Sequence, residues 1–141
     1  MSYSTEYMTV ADFMEFVAPT LPPGSTGVSC KVMMKGPAWT VRKDGNIICC
    51  YGFAPMMRGC AEAWMVMSPE GKVSPLMALR YAKQVIGTIM QAGLFRRVQA
   101  MVQEDQAGHR NWVEHLGFKI EGVMLKYGPN GETYLRYVMF S

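Results

Sequence analysis

The sequence is poor in metal-binding groups. It has two histidines, His109 and His115, and four cysteines, Cys30, Cys49, Cys50 and Cys60, with no Cys-x-x-Cys pair. No zinc set of ordinary spacing can be assembled, and no metal site is expected. Basic charge is thin as well. The formal net charge is +3, and the densest spots are the pairs Arg42–Lys43 and Arg96–Arg97. A nucleic-acid binder shows a basic stripe with interleaved stacking aromatics, so nucleic acid is not an expected partner. No apolar run reaches the length of a membrane span, and the polar stretch Met1 to Met8 lacks the basic flank and apolar core of an export leader. The expectation is a cytoplasmic protein with reduced thiols and no membrane partner.

Apolar residues are present in quantity. They make up 50% of the 141 residues, enough for one globular domain over 1–141 that needs no disulfide or structural metal. A chain of this size buries about two-thirds of its extended surface. Fourteen methionines point to an adaptable core, since Met is an unbranched gap-filler. Cys49 and Cys50 are adjacent in an apolar run, so at least one is expected to be a small core residue.

Periodicity gives an order of elements. Thr9 to Val17 reads as a short helix capped by Thr9, with Phe13, Met14 and Val17 on its apolar face. Pro19 to Gly27 reads as a loop, and Ser29 to Met34 fits a strand or a short helix equally. Ala38 to Arg42 and Ile47 to Phe53 read as a hairpin around Lys43-Asp44-Gly45-Asn46, because Asp-Gly suits the positive φ of a tight turn. Ala54 to Gly59 is a predicted loop, and Ala61 to Met67 a third strand. Ser74-Pro75 opens a helix that runs to about Gln91, with Ala78, Ala82, Val85, Ile86 and Ile89 on one face and Gly93 as its stop. Arg97 to Gln103 is the next strand, and Ala107 to Leu116 a shorter helix ended by Gly117. Phe118 to Tyr127 and Glu132 to Phe140 are strands around the turn Gly128-Pro129-Asn130-Gly131. The fold class is therefore α/β, with a central sheet that is mixed but mostly antiparallel. A strand–helix–strand unit supplies one parallel pair, and helices flank the sheet.

Leu116-Gly117-Phe118-Lys119-Ile120-Glu121-Gly122, at the end of the last helix of that order, resembles the corresponding corner of the GNAT superfamily of N-acetyltransferases. Gly117 can adopt the left-handed conformation that ends the helix, and Phe118 folds back as its hydrophobic partner. The resemblance covers about Ala38 to Phe140. Three further segments look like those of GNAT-like proteins of tailed bacteriophages: Trp64-Met65-Val66-Met67-Ser68-Pro69, Ser74-Pro75-Leu76, and Trp112 to Phe118. The closing Tyr127 to Gly131 fits the same group, some of whose members are internal virion or assembly proteins.

The resemblance implies a parallel pair, Ala61–Met67 and Arg97–Gln103, that splays to admit the arm of an acyl-coenzyme A. It implies acetyl-CoA as cofactor and a primary amine as acceptor. Met65, Val66 and Met67 would pair with the arm, Gly71, Lys72, Ser74 and Leu76 would hold its pyrophosphate, and the position of a family Asn falls near Asp105 or Gln106. Glu62 is the candidate base and Tyr127 the candidate acid, with Tyr134 as a substitute. Two departures stand out. The glycine-rich phosphate loop is replaced by Gly71-Lys72-Val73-Ser74-Pro75-Leu76, where Pro75 has no N–H. The family's helix tyrosine falls at Val113, which cannot donate a proton. The resemblance therefore allows two functions: an acyl-CoA-dependent N-acyltransferase, or a non-catalytic protein of the same fold acting in phage structure or assembly within a host cytoplasm. Apolar strand residues Trp39, Phe53 and Tyr137 allow a homodimer.

Overall fold

Thr9 stands in extended conformation before the first helical segment and closes a capping box with Asp12. α1 (Val10–Asp12) runs on as a π-helical turn, Phe13–Val17, and a 3-10 turn, Ala18–Thr20. The computed structural model describes residues 3–21, 26–68 and 75–141, with the backbone alone for 26–30 and 75–78. The later elements are α2 (Thr26–Lys35), β2 (Ala38–Lys43), β3 (Asn46–Met57), β4 (Cys60–Met67), α3 (Pro75–Gln91), β5 (Arg97–Gln103), α4 (Ala107–His115), β6 (Lys119–Met124) and β7 (Tyr134–Phe140), and β1 (Tyr3–Tyr7) precedes them all. They form a seven-stranded sheet in the order β1-β2-β3-β4-β5-β7-β6, mostly antiparallel with one parallel pair, as the pattern of the sequence leads one to expect.

Contacts divide the chain into two units, with the boundary inside β4 between Ala61 and Glu62. The first holds β1, α1, α2, β2, β3 to Met56, and β4 from Glu62. The second holds Met57–Ala61 with α3, β5, α4, β6 and β7.

In the first unit, Asp44 and Gly45 both have positive φ, the signature of a two-residue hairpin turn. Phe13, Val17 and Cys50 are fully buried and pack with residues that include Phe16, Leu21, Met33, Met34 and Trp64. The last residue of α1, Asp12, carries a buried carboxylate and is 4% exposed. Its oxygens accept hydrogen bonds from Arg42 Nη2 (2.6 Å), Thr40 Oγ1 (3.0 Å) and the Thr9 N–H (3.1 Å). Burial pushes the Asp12 carboxyl up, but these donors together outweigh it and hold the carboxyl below its ordinary value.

In the second unit, Glu121 ties three strands. It accepts from Arg97 Nη1 (2.7 Å) and Arg136 Nε (2.9 Å), and these cations bring its carboxyl down to about 2. The Tyr137 side chain is fully buried, and its hydroxyl donates to Glu114 Oε2 at 2.7 Å. Gly93 and Gly117 take positive φ at the ends of α3 and α4, and Phe118 is buried behind Gly117. The helix ends are therefore as the sequence predicts.

Several expectations are corrected. Residues 3–7, in the polar stretch to which the sequence assigns no element, form an edge strand exposed on both faces. Met14, assigned to the apolar face, points outward, because the switch to π-helical winding rotates it away while Phe13 and Val17 stay buried. Pro19 lies in a 3-10 turn, not a loop, and 26–35 is helix throughout. β3 continues through Pro55, expected in a loop. It does so beyond Gly52, the last residue paired with β2, where a missing N–H costs no ladder bond. Cys49 and Cys50 are both buried, so both faces of β3 are covered there. Burial pushes the Cys49 thiol up to about 12, which keeps it protonated and inert. β6 ends at Met124, short of Tyr127.

Candidate functional site

β5 alternates strictly between buried and half-buried residues. Where it ends, the chain turns through Glu104 and Asp105 into α4, and Gln106 is the residue before the helix. The Gln106 side chain makes no capping bond, while its carbonyl accepts the Arg110 N–H at 3.0 Å. This corner borders a cavity of about 320 Å³ lined by Met101, Val102, Gln103, Gln106, His109 and Tyr134. Two amide side chains, an imidazole and a phenol are thus among the groups that border it.

Tyr134 opens β7, and its ring lies 5.3 Å from that of Tyr127, tilted by 59°. Tyr127 is held beyond β6 by its N–H, which donates to the Glu132 carbonyl at 3.1 Å. The turn between them closes from the Gly131 N–H to the Gly128 carbonyl at 2.9 Å. Tyr127 itself is more than half exposed and stands behind Tyr134.

The other predicted residues lie elsewhere. Glu62 is half-buried on β4 and shares a face with Trp64 and Val66, both of which pack on the Phe13–Val17–Cys50 core. Met65 and Met67 lie on the opposite face. The Ser68 N–H donates to the Ile48 carbonyl at 2.9 Å, so along β4 the backbone groups of Val66 turn toward β3 and those of Met65 and Met67 turn away from it. Gly71, Lys72 and Ser74 lie outside the described residues. Leu76 is the second residue of α3, where the backbone alone is described.

No family model matches the chain, and no curated protein matches it. Solved structures do match along nearly its whole length. A GNAT family acetyltransferase from Elizabethkingia anophelis with acetyl-CoA bound superposes with a TM-score of 0.74 at 12% identity, over 99% of this chain and 98% of that one. The ribosomal-protein-S18-alanine N-acetyltransferase from Escherichia coli gives 0.78 at 11%, over 99% and 94%. A spermidine N-acetyltransferase chimera built from the Vibrio cholerae enzyme gives 0.73 at 11%, over 98% and 95%.

The chain has the GNAT acetyltransferase fold. At such identities the likeness is one of fold, and function is argued from the site. Val113, where the family resemblance would place a helix tyrosine, is a buried apolar side chain of α4. His109, by contrast, is a site residue that the sequence alone did not single out. Its one visible signal is a position three residues past Gln106, which sets both on the cavity side of the first helical turn.

Proposed function

We propose that the chain works as one GNAT-like domain that transfers an acyl group, acetyl foremost, from a coenzyme A thioester to a primary amine. The observation that carries this reading is the cavity at the end of β5, in a chain of this fold. The arm of coenzyme A is thin, with amide groups between methylenes and a sulfur at its tip. Gln103 and Gln106 suit the amides, and Met101 suits the methylenes. The outward-turned backbone of Met65 and Met67 suits amides as well. Val66, with its side chain in the core, has no such role in this reading. The fit is weaker at the phosphate end, because Pro75 brings no N–H to the first turn of α3.

In the transfer, the amine nitrogen bonds to the thioester carbonyl carbon and the carbon–sulfur bond breaks. The amine loses a proton and the departing thiolate gains one. We assign the second proton to Tyr134, which lines the cavity, with Tyr127 packed against it, and take Glu62 as the base from the family resemblance alone. Two of the similar proteins are named for amine-bearing acceptors, a ribosomal-protein alanine and spermidine, which is the support for a primary amine here. The site of action is the cytoplasm, and that of an infected host cell if the chain is phage-borne.

Thiol release from acetyl-CoA with a panel of amines tests the assignment. Glu62→Gln and Tyr134→Phe should each lower kcat by roughly 10²-fold or more while leaving KM for acetyl-CoA nearly unchanged. Wild-type rates in either variant remove that residue from the mechanism. One observation favours a second reading, a non-catalytic protein of phage structure or assembly: Val113 is buried and apolar where the resemblance implies an acid. Wild-type protein that binds acetyl-CoA but releases no thiol with any amine supports it.

A further inference from the structure

The two edges of the sheet differ. At one edge, β6 is guarded by Lys119 and Glu121 and by a register shift between Ile120 and Gly122. Charge and irregularity of this kind keep an edge from pairing with another chain. At the other edge, β1 (Tyr-Ser-Thr-Glu-Tyr) has no Lys, Pro or Gly, and its register with β2 is unbroken. Among the described residues nothing pairs with its outer side.

The direction of its backbone groups follows from one bond. The Met8 N–H donates to the Ala38 carbonyl at 3.0 Å. Stepping by two along the antiparallel register, Glu6 with Thr40 and Ser4 with Arg42 are the hydrogen-bonding pairs. Tyr3, Thr5 and Tyr7 therefore turn their N–H and C=O groups to the open edge. Their side chains share the face of Trp39, and there a ladder of rings has formed. Tyr7 stacks on Trp39 with centroids 6.0 Å apart, and Trp39 stacks on Tyr51 at 5.4 Å. The ladder stops at Tyr7, which is 75% exposed.

We propose that β1 pairs with β1 of a second copy of this chain, antiparallel about a two-fold axis at Thr5. That register sets Tyr3 opposite the partner's Tyr7 and Thr5 opposite the partner's Thr5, so the outward-turned N–H and C=O groups of all three residues find partners on both strands. The ring ladder then continues from Tyr7 onto the partner's Tyr3, over which that copy's Lys43 ammonium sits at 5.8 Å from the ring centroid. On the reverse face, Glu6 stands opposite the partner's Ser4. Ser4 is itself opposite Arg42 in the β1–β2 register. No like charges stand directly opposite one another in this register. The contact is self-complementary, as a two-fold interface requires.

This inference stands apart from the acyltransfer reading, since an inactive chain could pair this way and an active one could stay single. The test is the solution mass of the full chain, free at its N-terminus, with Thr5→Lys and Thr5→Glu. Residue 5 is exposed, so neither change disturbs the folded chain, which circular dichroism checks. In a two-fold pair each change sets like charges face to face. Wild type should sediment at twice the chain mass, each variant alone at one chain mass, and an equimolar mixture of the two should return to twice. The proposal is overturned by a wild type of single mass, by either variant remaining double, or by a mixture that does not recover. A peptide of another protein as the natural occupant of this edge would give the first of these results.

Discussion

Asp12→Ala is expected to destabilise the protein by about 3 kcal/mol in denaturant unfolding, the lower end of the range for breaking a buried ion pair. The lower end applies because the Arg42 side chain keeps 26% of its surface in water. Loss of the carboxylate removes the acceptor for Arg42, Thr40 and the Thr9 N–H together, and it opens the capping box that starts the first helical segment. The same carboxylate predicts acid sensitivity with a definite sign. Its native value lies below the unfolded one. Its contribution is therefore complete above the unfolded carboxylate value of about 3.9, and it is lost as pH falls through the lower native value. The wild type should lose stability more steeply than Asp12→Ala as pH drops below about 4. A loss under about 1 kcal/mol at neutral pH would mean that the network contributes little, as exposed pairs do.

Gly36→Ala is expected to be as damaging, for a steric reason. A Cβ on Gly36 would sit 1.6 Å from the Phe53 carbonyl oxygen and 2.9 Å from Pro55 Cδ. The obstacle is mostly backbone, and that backbone is fixed where the Phe53 N–H donates to the Pro37 carbonyl at 3.0 Å. One methyl must therefore push the chain before β2 off β3, at a cost of about 3 kcal/mol or more. Gly87→Ala is the matched control. Gly87 lies inside α3, is exposed, and has open space where a Cβ would go. Alanine there should raise stability by about 0.5–1 kcal/mol. Thermal unfolding of the pair reads both signs, and equal effects would contradict the steric account.

These residues also mark where the sequence is readable and where it is not. Arg97–Gln103 and the close of α4 at Gly117 are legible, because alternation and a left-handed glycine are local signals. β1 is not, because an edge strand exposed on both faces has no apolar alternation to show. Gly36 stands before Pro37 and Gly87 inside a predicted helix, but neither pattern shows that a methyl would clash at the first and not at the second. Their difference lies in what folds against them. Met14 follows helical spacing faithfully, yet a switch of winding sends it outward. The candidate site divides the same way. Counting along the chain under the resemblance narrows one position to Asp105 or Gln106, and the fold shows that Gln106 borders the cavity. Tyr134 is one of two tyrosines near the last turn, and only the fold shows which of them faces the cavity. His109 has no sequence signal until the first turn of α4 is seen beside β5 and β7.

The central claim is that the cavity beside Gln106 accepts the arm of an acyl-coenzyme A. Titration with acetyl-CoA, followed residue by residue through backbone amide resonances, tests it most directly. The account predicts saturable shifts centred on Gln103, Gln106, His109 and Tyr134, with stabilisation of about 2.7 kcal/mol at a hundredfold excess over Kd. Resonances that stay fixed at millimolar acetyl-CoA, or shifts centred away from these four residues, would contradict it.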